Sequence, residues 1–315
     1  MLPSRKKTLV LGLAASLFSG AAFAAEADSC KAITFSDVGW TDITATTATA
    51  SVVLEGLGYE PETQVLSVPV TYASLKNNDV DVFLGNWMPT MEADIAPYRE
   101  DGTVETLVTN LEGAKYTLAV PKYTYDAGLK SFADIAKFAD ELDGEIYGIE
   151  PGNDGNRLIL DMIENDTFGL KDFELVESSE AGMLSQVRRA VGSKKPIVFL
   201  GWEPHPMNAN VEMTYLEGGD DVFGPNYGGA TVHTNTRAGL SEECPNLGKL
   251  LKNMVFSLQM ENEIMGKILD DNQEPQKAAA EWLKANPDAL GPWLEGVTTF
   301  SGEAGLDAVK AHLDM

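Results

Sequence analysis

The stretch FSDVGWTD, residues 35–42, ends an apolar run in a Gly-Trp pair and sets an acidic residue two places beyond the indole. FLGNWMP at 83–89 and FLGWEPHP at 199–206 repeat the theme. Each apolar run closes in Gly and Trp, then passes into polar or turn-forming residues. Around the first of these, KAITFSDVGW (31–40) reads as a buried strand and DITATTATASVVLEGLG (42–58) as a helix ending in Gly. TQVLSV (63–68) reads as a strand, PVTYASLKNND (69–79) as helical turns entered through Pro, and VDVFLGNW (80–87) as a strand. Strand–helix–strand–helix–strand predicts a parallel sheet flanked by helices. In such sheets ligands bind beyond the carboxyl ends of the strands, where Trp40, Trp87 and Trp202 fall.

The rest of the chain repeats the alternation. TMEADIAPYRED (90–101) predicts a helix up to Pro97, and TVETLVTN (103–110) and AKYTLAVPKY (114–123) predict two extended segments. SFADIAKFADEL (131–142) predicts an amphipathic helix capped by Ser131, with Asp134 three places on. EIYGIEPG (145–152) and PIVFLGW (196–202) read as strands, NDGNRLILDMIEND (153–166) and EAGMLSQVRRAVGSKK (180–195) as helices, and the chain from about 240 as mostly helical. Two α/β lobes are expected. Gly113, Gly224, Pro225, Gly228 and Gly229 stand where hinges would need them.

The chain opens with Arg5, Lys6 and Lys7, an apolar run, and Ala22-Phe23-Ala24. This is the pattern of a secretory leader, residues 1–24, cleaved near Ala24. The remaining length suits two lobes of ordinary size. A formal charge of −25 disfavours nucleic acid and anionic membranes as partners. Cys30 and Cys244 are an even pair in an exported chain, which favours one disulfide over two buried thiols. A bridge would return the C-terminal part to the first lobe. The lobes would then be 25–112 plus 226–315, and 113–225.

Any one Trp is usually core packing. Three in like contexts point instead to a shared pocket, whereas Trp282 and Trp293 lie in helical context and read as packing. Several rings around one site suit a quaternary ammonium group. It has no N–H to donate, and it is held by the negative faces of aromatic rings.

The motifs DVGWTD, LGNWMP, EGAKYTLAVP, GIEPGNDGN and FLGWEPHPMN together resemble those of the choline-binding periplasmic proteins of ABC importers, within the glycine betaine/proline betaine/choline binding group. The resemblance spans essentially the whole mature chain. It implies a two-lobed periplasmic binding protein fold (type II), each lobe a mostly parallel sheet flanked by helices, with two hinge crossings. It also implies an aromatic box at Trp40, Trp87, Tyr116 and Trp202, with Asp42 and Asn153 as polar partners for the other end of the ligand. Read alone, Tyr116 is a strand residue near a hinge, and Asp42 is equally a helix cap.

No HExxH, GxSxG, P-loop or GxGxxG after a strand is present. His205 reads as a residue supporting the Trp202 loop, and Arg157 as a surface residue. The expectation is a monomeric periplasmic protein without cofactor or metal, which binds choline, or acetylcholine more weakly, and delivers it to an ABC permease. A glycine betaine or proline betaine binder is the alternative within that class, and an exported hydrolase of choline esters the alternative outside it.

Overall fold

The computed structural model describes residues 26–315; the leader read at 1–24 lies outside them. Nine strands form one hydrogen-bonded sheet: β1 Ala32–Asp37, β2 Glu60–Val65, β3 Val82–Met88, β4 Val104–Pro121, β5 Glu145–Tyr147, β6 Glu174–Val176, β7 Phe199–Glu203, β8 Met213–Tyr215 and β9 Gly229–Arg237. Their spatial order is β2-β1-β3-β9-β4-β7-β5-β6, with β8 on β4. The outer pairs β1–β2, β1–β3, β5–β6 and β5–β7 are parallel. β9 is antiparallel to β3 and β4, and β4 is antiparallel to β7 and β8. The two extended segments read at 103–110 and 114–123 are the single strand β4. Register shifts near Leu111 and Ala114 and a left-handed Gly113 let it bend while pairing first with β9 and then with β7.

The longer helices are α1 Thr41–Leu57, α2 Val68–Asn77, α3 Glu92–Glu100, α4 Asp154–Glu164, α5 Glu180–Ser193, α6 Pro245–Asn253, α7 Leu258–Leu269 and α8 Pro275–Ala285. None is long and apolar enough to cross a membrane among the described residues. α1 is buried along almost its whole length although it is rich in Thr. Three of its buried hydroxyls turn back onto their own helix, Thr46 onto the Asp42 carbonyl, Thr49 onto Ala45 and Ser51 onto Thr47, whereas Thr47 Oγ1 has no partner among the described residues. A buried hydroxyl thereby keeps a partner without a neighbouring element having to supply one. Gly58 closes α1 in the left-handed conformation, donating its amide to Leu54 and Glu55.

The helix read at 131–142 is shorter than expected. The Ser131–Asp134 capping box forms, but the α-helix runs only Phe132–Ile135 before a 3-10 turn at Ala136–Phe138. Phe132 and Ile135 are buried while Lys137 is exposed, so the first turn alone is anchored in the core. Cys30 and Cys244 form a disulfide with Cα atoms 5.7 Å apart. It ties the turn before β1 to the start of α6.

Candidate functional site

Gly39 turns the chain from β1 into α1 at φ +81°, a conformation open to glycine at little cost, and its amide donates to Asp37 Oδ1 at 2.7 Å. This turn sets Trp40 at the N-cap of α1 and Asp42 in its first turn. Trp87 and Trp202 stand near the carboxyl ends of β3 and β7. Tyr116 lies directly opposite Trp202 in the β4–β7 pairing. These five residues and Ile149 line a narrow cavity. Tyr116 is 6.0 Å from Trp87 and 6.3 Å from Trp202, ring centre to ring centre, steeply inclined to both. All four rings are buried.

Each ring is held by a polar or edge contact. The Trp40 indole N–H donates to Glu150 Oε1 at 2.8 Å, and that of Trp87 to Asp42 Oδ2 at 3.1 Å. The Tyr116 hydroxyl donates to Asn153 Oδ1 at 2.9 Å. Trp202 meets the His205 ring edge-on at 4.9 Å. Gly155 makes room for Tyr116: a Cβ there would fall 2.0 Å from the hydroxyl oxygen. With their edges tied, the rings cannot rotate to fill the space between them.

Asp42 is almost wholly buried, and its Oδ1 has no hydrogen-bond partner among the described residues. Burial, reinforced by the charge of Glu180, pushes its carboxyl up to about 8. Burial likewise raises Glu150 to about 7 and Asp154 to about 6. An unpartnered buried acceptor costs about 1–3 kcal/mol, more if charged. The cavity wall therefore combines aromatic rings with one buried carboxyl whose Oδ1 has no partner among the described residues, and none of its lining residues is cationic. Such a space suits a cation that is largely apolar and carries a single hydrogen-bond donor.

Of the residues marked in the sequence, Trp40, Asp42, Trp87, Tyr116 and Trp202 come together at the cavity. Asn153 is seated behind Tyr116 and does not line it. Its Oδ1 caps α4 by accepting from the Asn156 amide at 3.1 Å, and its Nδ2 donates to Asp154 Oδ1 at 3.1 Å. Asp42 is not the cap of α1: Trp40 holds that position without a side-chain bond. Arg157 is not a free surface residue. It pairs with Asp94 Oδ2 at 2.6 Å and donates to the Thr90 carbonyl at 3.2 Å, joining α4 to α3 and the loop before it. Sequence reasoning did not single out Ile149, Glu150 or Glu180. Glu150 and Ile149 lie within the quoted GIEPGNDGN, at the end of a strand, where the same positional rule applied to the tryptophans would have found them.

Two solved structures resemble the chain closely. One is described as an ABC-transporter choline binding protein in complex with choline. It is 71% identical over 91% of this chain and 100% of its own, with a TM-score of 0.90. The other is described as an ABC-transporter choline binding protein in an unliganded semi-closed conformation, 70% identical over the same shares, with a TM-score of 0.85. An uncharacterized protein, ORF1, of Chromohalobacter salexigens is 61% identical over 137 residues, 44% of this chain and 86% of that protein. Residues 31–285 match the family described as the substrate binding domain of ABC-type glycine betaine transport systems. The chain belongs to that family of substrate-binding proteins, which are not enzymes.

Proposed function

We propose that this protein binds choline in the cavity walled by Trp40, Trp87, Tyr116 and Trp202 and delivers it to the permease of an ABC importer, after export through a leader cleaved near Ala24. The observation that carries the choice of ligand is the presence of Asp42, whose Oδ1 has no hydrogen-bond partner among the described residues, in the wall of the ring-lined cavity. The trimethylammonium group sits among the rings, each desolvated contact contributing about 1–2 kcal/mol. Four such contacts approach the ~8 kcal/mol of a micromolar complex. Asp42 accepts from the choline hydroxyl. Asn153, seated behind Tyr116, would have to move forward for its remaining amide hydrogen to take the same end of the ligand. The likeness to a choline-bound protein supports this reading.

Glycine betaine is the second candidate, since the family description names it. Its carboxylate would face Asp42 with no cationic side chain on the cavity wall to receive it. Choline ranks first on that account, acetylcholine below it because its ester has no hydroxyl to donate, and betaines last.

The halves 25–112 plus 226–315 and 113–225 act as two lobes that close over the ligand. In support, the chain passes between them within β4 and just before β9, next to the left-handed residues Gly113, Asn226, Tyr227 and Gly228. The cavity draws Trp40, Asp42 and Trp87 from one half and Ile149 and Trp202 from the other. Calorimetric titration with choline, acetylcholine, glycine betaine and proline betaine tests the ligand. Choline should bind most tightly; tighter binding of either betaine would contradict the reading.

A further inference from the structure

Glu180, the first residue of α5, is 5% exposed, and three donors converge on its carboxylate. The Thr41 amide donates to Oε2 at 2.8 Å and the Thr41 hydroxyl to Oε1 at 2.5 Å. His205 Nε2 lies 3.1 Å from Oε1. The Met207 amide donates to Nδ1 of the same imidazole at 2.9 Å, which leaves Nε2 as the nitrogen carrying hydrogen. His205 in turn stands edge-on to Trp202. A continuous buried chain of contacts thus runs from one side of the cavity to the other, through Thr41, Glu180, His205 and Trp202.

The opening of α1 makes this contact matter. The first amides of a helix have no partner within it, and the N-cap side chain commonly supplies one. Trp40 at the N-cap cannot. The Thr41 amide finds its acceptor in a carboxylate 139 residues away, beyond the crossing strand β4. Thr41 lies between two cavity residues, Trp40 and Asp42. Whatever fixes Thr41 fixes the start of α1, and with it the positions of both.

We propose that Glu180 is a positioning residue of the binding site: it caps α1 across the cleft, holds Trp40 and Asp42 against the Trp202 side, and engages as the two halves close on ligand. The inference rests on the choline-binding reading above. It also explains why the residue is Glu. Three donors and no acceptor meet at the carboxylate, so an amide of the same size would turn its NH₂ toward a donor. Buried charge-assisted contacts of this kind act on dissociation more than on encounter.

The test is stopped-flow dissociation of choline from Glu180→Gln, with the melting temperature of the ligand-free protein measured alongside. Dissociation should accelerate about tenfold or more. Ligand-free melting should stay within about 2 °C of wild type, because the clasp belongs to the closed form. Unchanged dissociation, or faster dissociation with a comparable fall in ligand-free melting, would overturn the proposal. Thr41→Val, which removes only the hydroxyl donor, gives an independent reading. It should accelerate dissociation less, and add little in the double variant with Glu180→Gln; fully additive effects would count against a shared contact. A wild-type protein that ignores choline overturns the functional reading and this one together. A wild-type protein that binds choline, with Glu180→Gln indistinguishable from it, overturns the clasp alone.

Discussion

The indole N–H of Trp87 donates to one carboxylate oxygen of Asp42 and leaves the other oxygen bare, although Asp42 is 1% exposed. One side chain thereby does two things. It fixes the orientation of one ring of the cavity wall, and it keeps an acceptor that the proposed function assigns to the ligand. The remaining rings are tied by Glu150, Asn153 and His205. The cavity is thus formed by side chains whose rotation is already restricted, which lowers the entropy lost on binding.

The rings and Asp42 should separate by which ligands they affect. Trp87→Ala or Trp202→Ala removes a wall that reads only the trimethylammonium end. Choline and glycine betaine should both weaken, by tenfold or more if a desolvated contact of about 2 kcal/mol is lost. Calorimetry with the two ligands checks this. Loss for one ligand alone would place that ring at the other end of the site.

Three of the rings were legible in the sequence because the same context, an apolar run closing in Gly and Trp, recurs three times. Tyr116 was not legible from its own surroundings. AKYTLAV reads as a strand, and only the pairing that sets Tyr116 opposite Trp202 brings it to the cavity. The tethers were harder still. Glu150, Glu180 and His205 meet partners 110, 139 and 25 residues away, and no local periodicity encodes such distances. The parallel outer strands followed from strand–helix alternation. The antiparallel crossing strands did not, because β4 is a single element whose bend divides it in the sequence pattern.

The acids around the cavity give a pH dependence of definite sign. Burial raises Asp42 to about 8, Glu150 to about 7 and Asp154 to about 6, all above the values of an unfolded chain. A group with a raised folded value contributes stability that is fully present below its unfolded value near 4 and is lost as pH rises through the folded one. The ligand-free protein should therefore melt higher at pH 5 than at pH 8. Scanning calorimetry at the two values checks this; equal or reversed melting would contradict it. A bound cation favours ionised Asp42, so choline should also release protons at pH 7. Titration in two buffers of different ionisation enthalpy should give different heats, and the difference should shrink in Asp42→Asn.

Closure predicts a change in shape. Trp40–Glu150, Thr41–Glu180 and Arg157–Asp94 all join residues of the two proposed halves. Saturating choline should reduce the radius of gyration in solution scattering. An unchanged radius would indicate a site closed before ligand arrives.

The disulfide should matter to stability without touching selectivity. Cys30 and Cys244 are separated by 214 residues, and the loop-entropy relation assigns such a bridge about 5 kcal/mol as an upper figure. Cys30→Ser/Cys244→Ser should melt at a lower temperature yet keep the wild-type order of ligands. A changed order would mean that the bridge, remote from the cavity, shapes the site.

The most direct test of the account is the ratio of glycine betaine to choline dissociation constants, measured by calorimetry at about pH 9, where Asp42 is ionised, in wild type and in Asp42→Asn. The substitution keeps the size of the side chain and removes its charge. A charge-assisted hydrogen bond contributes about 1.5–3 kcal/mol, so choline should weaken about tenfold or more. Glycine betaine should bind as before or better, because the carboxylate that opposes its own has gone. The account predicts that the ratio collapses by at least an order of magnitude. Equal losses for both ligands would contradict it, and would leave Asp42 as no more than the group that holds Trp87 in place.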